Sequence, residues 1–145
     1  MNLDELTCKV ECQELVARYF ILLDRGPRAE LPNLFTDDPK FITPDGNVTE
    51  GGAVHGLLTH MPENFVPVHL AVNVVITPAG PDAAEGLCYG VAYNMFGKAD
   101  DVLPRKMPNT PNRIGKIDFR FRKTAKGWRI SQFKVNVAFI DDGLT

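Results

Sequence analysis

The chain has 145 residues, 44% of them hydrophobic and 23% charged, with 16 basic residues against 18 acidic. That length predicts one domain, 1–145, with a core large enough to need no covalent staples. A net charge of −2 gives no electrostatic footprint for nucleic acid or an anionic membrane, and no run approaches the ~20 apolar residues of a membrane span. Cys8, Cys12 and Cys88 make an odd count. The opening "MNLDELTCKV" has neither a basic n-region nor an apolar h-region, so three free thiols in a reducing cytoplasm are expected.

"LTCKVECQELVARYFILLDRG" has apolar or small residues at 8, 12, 15, 16, 19, 20 and 23, the spacing of a helix that Gly26-Pro27 stops. "RAELPNLF" predicts a short second helix, interrupted or restarted at Pro32. "KFITPDGNVTE" predicts a small hairpin around Pro44-Asp45-Gly46, and "GGAVHGLLTHM" a third helix weakened by glycine. From there the chain turns to strand. Val66–Thr77 and Ala83–Met95 come first, then "RIGKIDFRFRKT" and "GWRISQFKVNVAFI", the last two joined by a tight "AKG" turn. "FGKADDVLPRKMPNTPN", spanning Phe96–Asn112, is a polar, proline-rich loop of the length that lids and binding loops have. Helices followed by long antiparallel strands make an α+β fold. Glycines inside the strands (Gly86, Gly90) predict a strongly curved sheet wrapped around the N-terminal helices. Such an α+β barrel is a cone whose mouth holds a small ligand.

Three residues sit badly with their surroundings. Residues two and four apart in a strand share a face, so His69, Ala71 and Asn73 point one way. Val68, Leu70, Val72, Val74 and Ile76 point the other. Taken alone, His69 reads as a core histidine bonded to Asn73 or to a backbone carbonyl. Asp24 lies in the last turn of its helix, where the dipole disfavours a carboxylate by ~0.3–1 kcal/mol, one turn after Phe20. Such an acid needs a cation or a hydrogen-bond donor, or else a raised pKa. Arg25, Arg28 and the turn before Gly26 offer surface alternatives. On the second long strand one face is small (Gly86, Cys88, Gly90, Ala92, Asn94), leaving room for a packed helix or a ligand. Cys88 has no basic neighbour in sequence to activate it. Cys8 and Cys12 share a helix face, but no second pair at ligand spacing completes a metal site, and His55 and His60 lie on different faces. No metal or other cofactor is expected. Trp128 is expected in the core.

"ARYFILLDRG", "LFTDDPKFITPDG" with "EGG", "HLAVNVVI", "AAEGLCY" and "RIGKIDFRFRKTAKGWRI" cover nearly the whole chain. In that order they resemble the nuclear transport factor 2-like superfamily. Within it they are similar to the SnoaL-like branch that includes scytalone dehydratase, bile-acid dehydratase and lindane dehydrochlorinase. Those relatives pair an Asp at the end of helix one with a His on the first long strand; Asp24 and His69 occupy these positions. The resemblance therefore implies an Asp–His dyad at the floor of the cone, with His69 as general base. It implies that Asn73 orients a neighbour or a ligand carbonyl. Tyr19 matches a tyrosine placed five residues before the Asp in the bile-acid dehydratase-like members, and would either donate to a carbonyl or a leaving hydroxyl or pack in the core with a single hydrogen bond. Five residues turn a helix by about 140°, so Tyr19 and Asp24 approach a ligand from different sides.

The third strand departs from the relatives' "GxYxDxYxR", offering Gly115, Ile117, Phe119, Phe121 and Lys123 instead. A greasier pocket lined by Phe119 and Phe121 is expected, without a second carboxylate. Lys123 stands where some relatives keep an Arg. The function implied is a cofactor-independent lyase or isomerase, dehydratase-like, acting on a hydrophobic cyclic compound such as a polyketide, a sterol-like molecule or a small aromatic. The alternative is a non-catalytic module of the same fold that binds a small ligand or serves in assembly. Tyr89, Val91 and Tyr93, with alternating apolar residues on the fourth strand, predict an open sheet face covered in a homodimer or homotrimer.

Overall fold

A computed structural model describes residues 1–62, 64–96, 104 and 110–141. The loop expected to cover the cone mouth falls mainly outside the described residues, as does the side chain of Asn94.

Helix α1 runs Leu3–Arg25. Its start is fixed by a capping box that the apolar spacing did not disclose. Asn2 accepts from the Glu5 backbone N–H, and the Glu5 carboxylate accepts from the Asn2 N–H, satisfying two otherwise orphaned donors. Its buried stripe is Cys8, Cys12, Leu15, Val16, Tyr19, Phe20 and Leu23. It ends at Gly26, whose φ of 72° suits glycine and whose N–H donates to the Leu22 carbonyl. The second helix is a 3₁₀ turn, Arg28–Leu34, containing Pro32. A hairpin of β1 (Phe35–Ile42) and β2 (Val48–Glu50) follows, then α2 (Gly52–Thr59), which buries Val54 and Leu58.

Four long strands complete the chain: β3 (Phe65–Pro78), β4 (Ala83–Phe96), β5 (Arg113–Thr124) and β6 (Gly127–Ile140). The six strands form one sheet in the order β2-β1-β6-β5-β4-β3. It is curved and unclosed, with β2 and β3 as its edges, so the expected barrel is open on one side. One pairing corrects the antiparallel expectation: β1 runs parallel to β6. Tight turns set the direction of β4 and β6, but no turn links β1 to β6. The fold is therefore α+β on a mixed sheet.

Inside the curve, α1 lays its stripe against Ile117, Phe119, Phe121, Ile130 and Phe133, with Trp128 also in the core. Among the described residues no helix is long and apolar enough to cross a membrane.

Candidate functional site

β3 alternates as expected only up to Val72. Val72 pairs with Tyr89 and Val75 with Leu87, so Asn73 and Val74 together stand opposite one residue of β4. This is a β-bulge, and Asn73 takes the left-handed conformation (φ 56°) that Asn tolerates better than most residues. The bulge shifts the alternation by one. Pro67, His69 and Ala71 face inward before it, and Val74 and Ile76 face inward after it. Asn73 is consequently exposed and apart from the inner wall, which corrects its assignment to the ligand site. Val68, Leu70 and Val72 are the outward residues, and they are 40–53% exposed.

Asp24 reaches His69 across 45 residues of sequence. One carboxylate oxygen lies 2.6 Å from the His69 Nδ1, and the other accepts the His69 backbone N–H at 2.6 Å. The second bond has a structural origin, because β3 is an edge strand and the carboxylate satisfies one of its backbone donors. The two side chains are only 10% and 15% exposed. An ionised carboxylate only accepts, so His69 Nδ1 is the donor in this contact. The Phe20 ring packs on the imidazole at 5.4 Å between centroids.

Arg28, a candidate partner for Asp24, does different work. Its Nε donates to the Leu23 carbonyl at 2.9 Å and an Nη to the Phe65 carbonyl at 3.3 Å, with the guanidinium over the Phe65 ring. It ties the end of α1 to the start of β3, the two segments that carry Asp24 and His69.

His69 opens onto a cavity of about 260 Å³ inside the curve of the sheet. Its wall is mostly apolar, from Phe20, Phe41, Met61, Phe65, Ile117, Phe133 and their neighbours. Among the described residues, three polar side chains interrupt it: Tyr19, His69 and Arg113. The Tyr19 phenol has no hydrogen-bond partner among the described residues. Desolvation by burial, and then the Asp24 charge, push its pKa far above the usual tyrosine range.

The remaining expected ligand contacts belong elsewhere. Phe119 and Phe121 are 2% and 1% exposed and stack on each other at 5.7 Å, filling the core instead of lining the cavity that holds His69. Lys123 is exposed, paired across the hairpin with Trp128, and away from that cavity. Cys88 is a buried free thiol whose pKa is pushed up to about 11 by desolvation, with Asp118 adding to the shift. On the small face of β4, Gly86 is packed against Phe121 and Ile76 and Gly90 against Ile117, and Gly90 and Ala92 border the cavity. Among the described residues no group of three or more His, Cys, Asp or Glu side chains could hold a metal ion. Sequence reasoning overlooked Arg113 as a site residue. The signal was there: it shares the parity of Gly115 and Ile117, although at the strand's start it is itself exposed.

A family model for the SnoaL-like domain matches residues 4–134. The chain belongs to this family. Among solved structures, the Kfla4162 protein of Kribbella flavida superposes with a TM-score of 0.76 at 21% identity, covering 94% of each chain. An NTF2-like protein with a cystatin-like fold from Novosphingobium aromaticivorans gives 0.73 at 21% identity, covering 95% of this chain and 86% of that one. A scytalone dehydratase candidate from Novosphingobium aromaticivorans DSM 12444 gives 0.74 at 16% identity, covering 90% and 84%. At these identities the likeness establishes the NTF2-like fold alone. No curated protein matches the chain.

Proposed function

We propose that this SnoaL-like protein is a cofactor-independent lyase or isomerase of the dehydratase type, acting on a hydrophobic cyclic small molecule. The observation that carries the reading is the two-point contact of Asp24 with His69 at the wall of an apolar cavity. A histidine serving only the core needs one hydrogen bond. A carboxylate on Nδ1 of a histidine that lines a cavity leaves Nε2 as the nitrogen a general base would use.

In this reading Nε2 takes a proton from carbon beside a carbonyl, and Asp24 stabilises the imidazolium that forms. Negative charge develops on the carbonyl oxygen, where the Tyr19 hydroxyl donates a hydrogen bond. Its raised pKa keeps that proton on the phenol, so Tyr19 polarises without transferring. In a dehydration the imidazolium then returns the proton to the departing hydroxyl. One C–H and one C–O bond break, a C=C bond forms, and water leaves. Base, carboxylate and donor are all side chains, so the scheme calls on no added group.

The test begins with a screen of cyclic ketones and hydroxy-ketones for compounds that raise the melting temperature. Turnover of those hits is then followed by the protein and by His69→Gln. Loss of product formation in the variant, with the hit still bound, is the expected result. Undiminished turnover would remove His69 from the chemistry and favour a ligand-binding module.

The outward face bears on assembly. Val68, Leu70, Val72 and Val75 of β3 lie beside Leu87 and Tyr89 of β4 as a continuous exposed apolar strip. A second copy of the chain, giving a homodimer or homotrimer, is the occupant we assign to it. Three free cysteines suit a reducing cytoplasm.

A further inference from the structure

Among the described residues that line the cavity, Arg113 is the one with a permanent charge. Ala92 of β4 pairs with His69 on one side and Arg113 on the other, so the three make one row across the sheet. Residues directly opposite in neighbouring strands point to the same face. Arg113 therefore looks into the curve beside His69, two strand spacings away, or roughly 10 Å between backbones. Little protein lies between them. Ala92 contributes a methyl group, and the neighbouring row is Ala71, Gly90 and Gly115. The Arg113 guanidinium, with five N–H donors, forms no hydrogen bond or ion pair with a described residue.

We propose that Arg113 is the specificity-determining residue of this site and that the ligand is a cyclic compound bearing a carboxylate. The carboxylate lies on the guanidinium at the cavity mouth, and the ring lies over Ala92, against the Ile117 side chain that covers Gly90. The far edge of the ring, about one ring width from the carboxylate, meets His69 Nε2. A planar guanidinium holds a carboxylate through two parallel N–H···O bonds, fixing direction as well as charge. The assignment rests on the lyase reading for what happens at His69, but not for binding itself.

The experiment titrates intact protein with 1-naphthoate and trans-cinnamate and, in parallel, with their methyl esters. It uses the unsubstituted protein, Arg113→Gln, Arg113→Lys and His69→Gln. The acids are expected to bind about tenfold more tightly than the esters, as a charge-assisted pair provides. That preference should shrink at high salt. Arg113→Gln should abolish the preference and leave ester affinity unchanged, Arg113→Lys should keep part of it, and His69→Gln should keep all of it. The proposal is overturned if acids bind no better than esters, including the case where neither binds. It is equally overturned if Arg113→Gln weakens both alike. An acid preference that follows Arg113, together with turnover that survives His69→Gln, would leave this assignment standing and remove the lyase reading alone.

Discussion

The inward face of β4 is made of small residues along its length, yet its two ends have different fates. At one end a Cβ on Gly86 would lie 2.8 Å from a Phe121 ring carbon and 2.9 Å from the Ile76 methyl, so the space is already full. At the other end Ile117 covers Gly90, where a Cβ would lie 2.6 Å from its terminal methyl, but Gly90 and Ala92 still border the cavity, beside Gly115 and Arg113 of β5. Small residues create room, and the cross-strand partner decides what occupies it. Phe119 and Phe121 close one end with packed rings, while Gly115 leaves the other open beneath His69.

The largest effects should come from the open end. Asp24→Asn and His69→Gln should each lower turnover by about 10²–10⁴ on any compound the protein converts, with the double variant little worse than either single. Melting temperatures should barely move, because an amide at position 24 can still accept the His69 backbone N–H. Unfolding of Asp24→Asn would make the open end as structural as the closed one. At the closed end, Gly86→Ala should destabilise the fold by about 1–3 kcal/mol through overpacking, read as a lower urea midpoint, without altering ligand affinity. An equal loss of ligand binding would mean that the two ends are coupled.

A smaller effect is expected on the outward face. Leu70→Lys should shift sedimentation from oligomer toward monomer, weakening association about tenfold for roughly 1.4 kcal/mol of lost apolar contact. A parent protein that sediments as a clean monomer at micromolar concentration would refute the assembly. The smallest expected signal is that of the thiols. Cys8, Cys12 and Cys88 are all buried, and desolvation raises the pKa of each. A thiol reagent at pH 8 should label none of them until denaturant is added. Rapid labelling of Cys88 in folded protein would place it on an open wall.

Most of the fold was legible because its signals are local. Periodicity and turn residues place the helices and the four long strands to within a few positions, whereas β1 begins at Phe35, ahead of the hairpin expected from Lys40. What escaped depends on contacts distant in sequence. The parallel pairing of β1 with β6 has no turn to announce it. The bulge at Asn73 reverses the alternation after Val72, so one continuous apolar row, Val68 to Ile76, divides between outside and inside. Apolarity also misleads about direction, since Val68, Leu70 and Val72 face outward while His69 faces in. In the site, the Asp24–His69 contact was anticipated from family resemblance and from an acid misplaced at a helix end. Phe119 and Phe121 were on the expected face but at its packed end, a distinction set by which residues oppose them. Arg113 was hidden by its position beside a long loop, where a charge reads as solvated.

The protonation state of His69 tests the central claim most directly, and it needs no substrate. Two-dimensional ¹H–¹⁵N NMR of the neutral imidazole distinguishes its two tautomers. The account predicts the proton on Nδ1 and a bare Nε2, with Asp24→Asn shifting population toward the Nε2–H form. A proton on Nε2 in the unsubstituted protein, or a tautomer indifferent to Asp24→Asn, would contradict it.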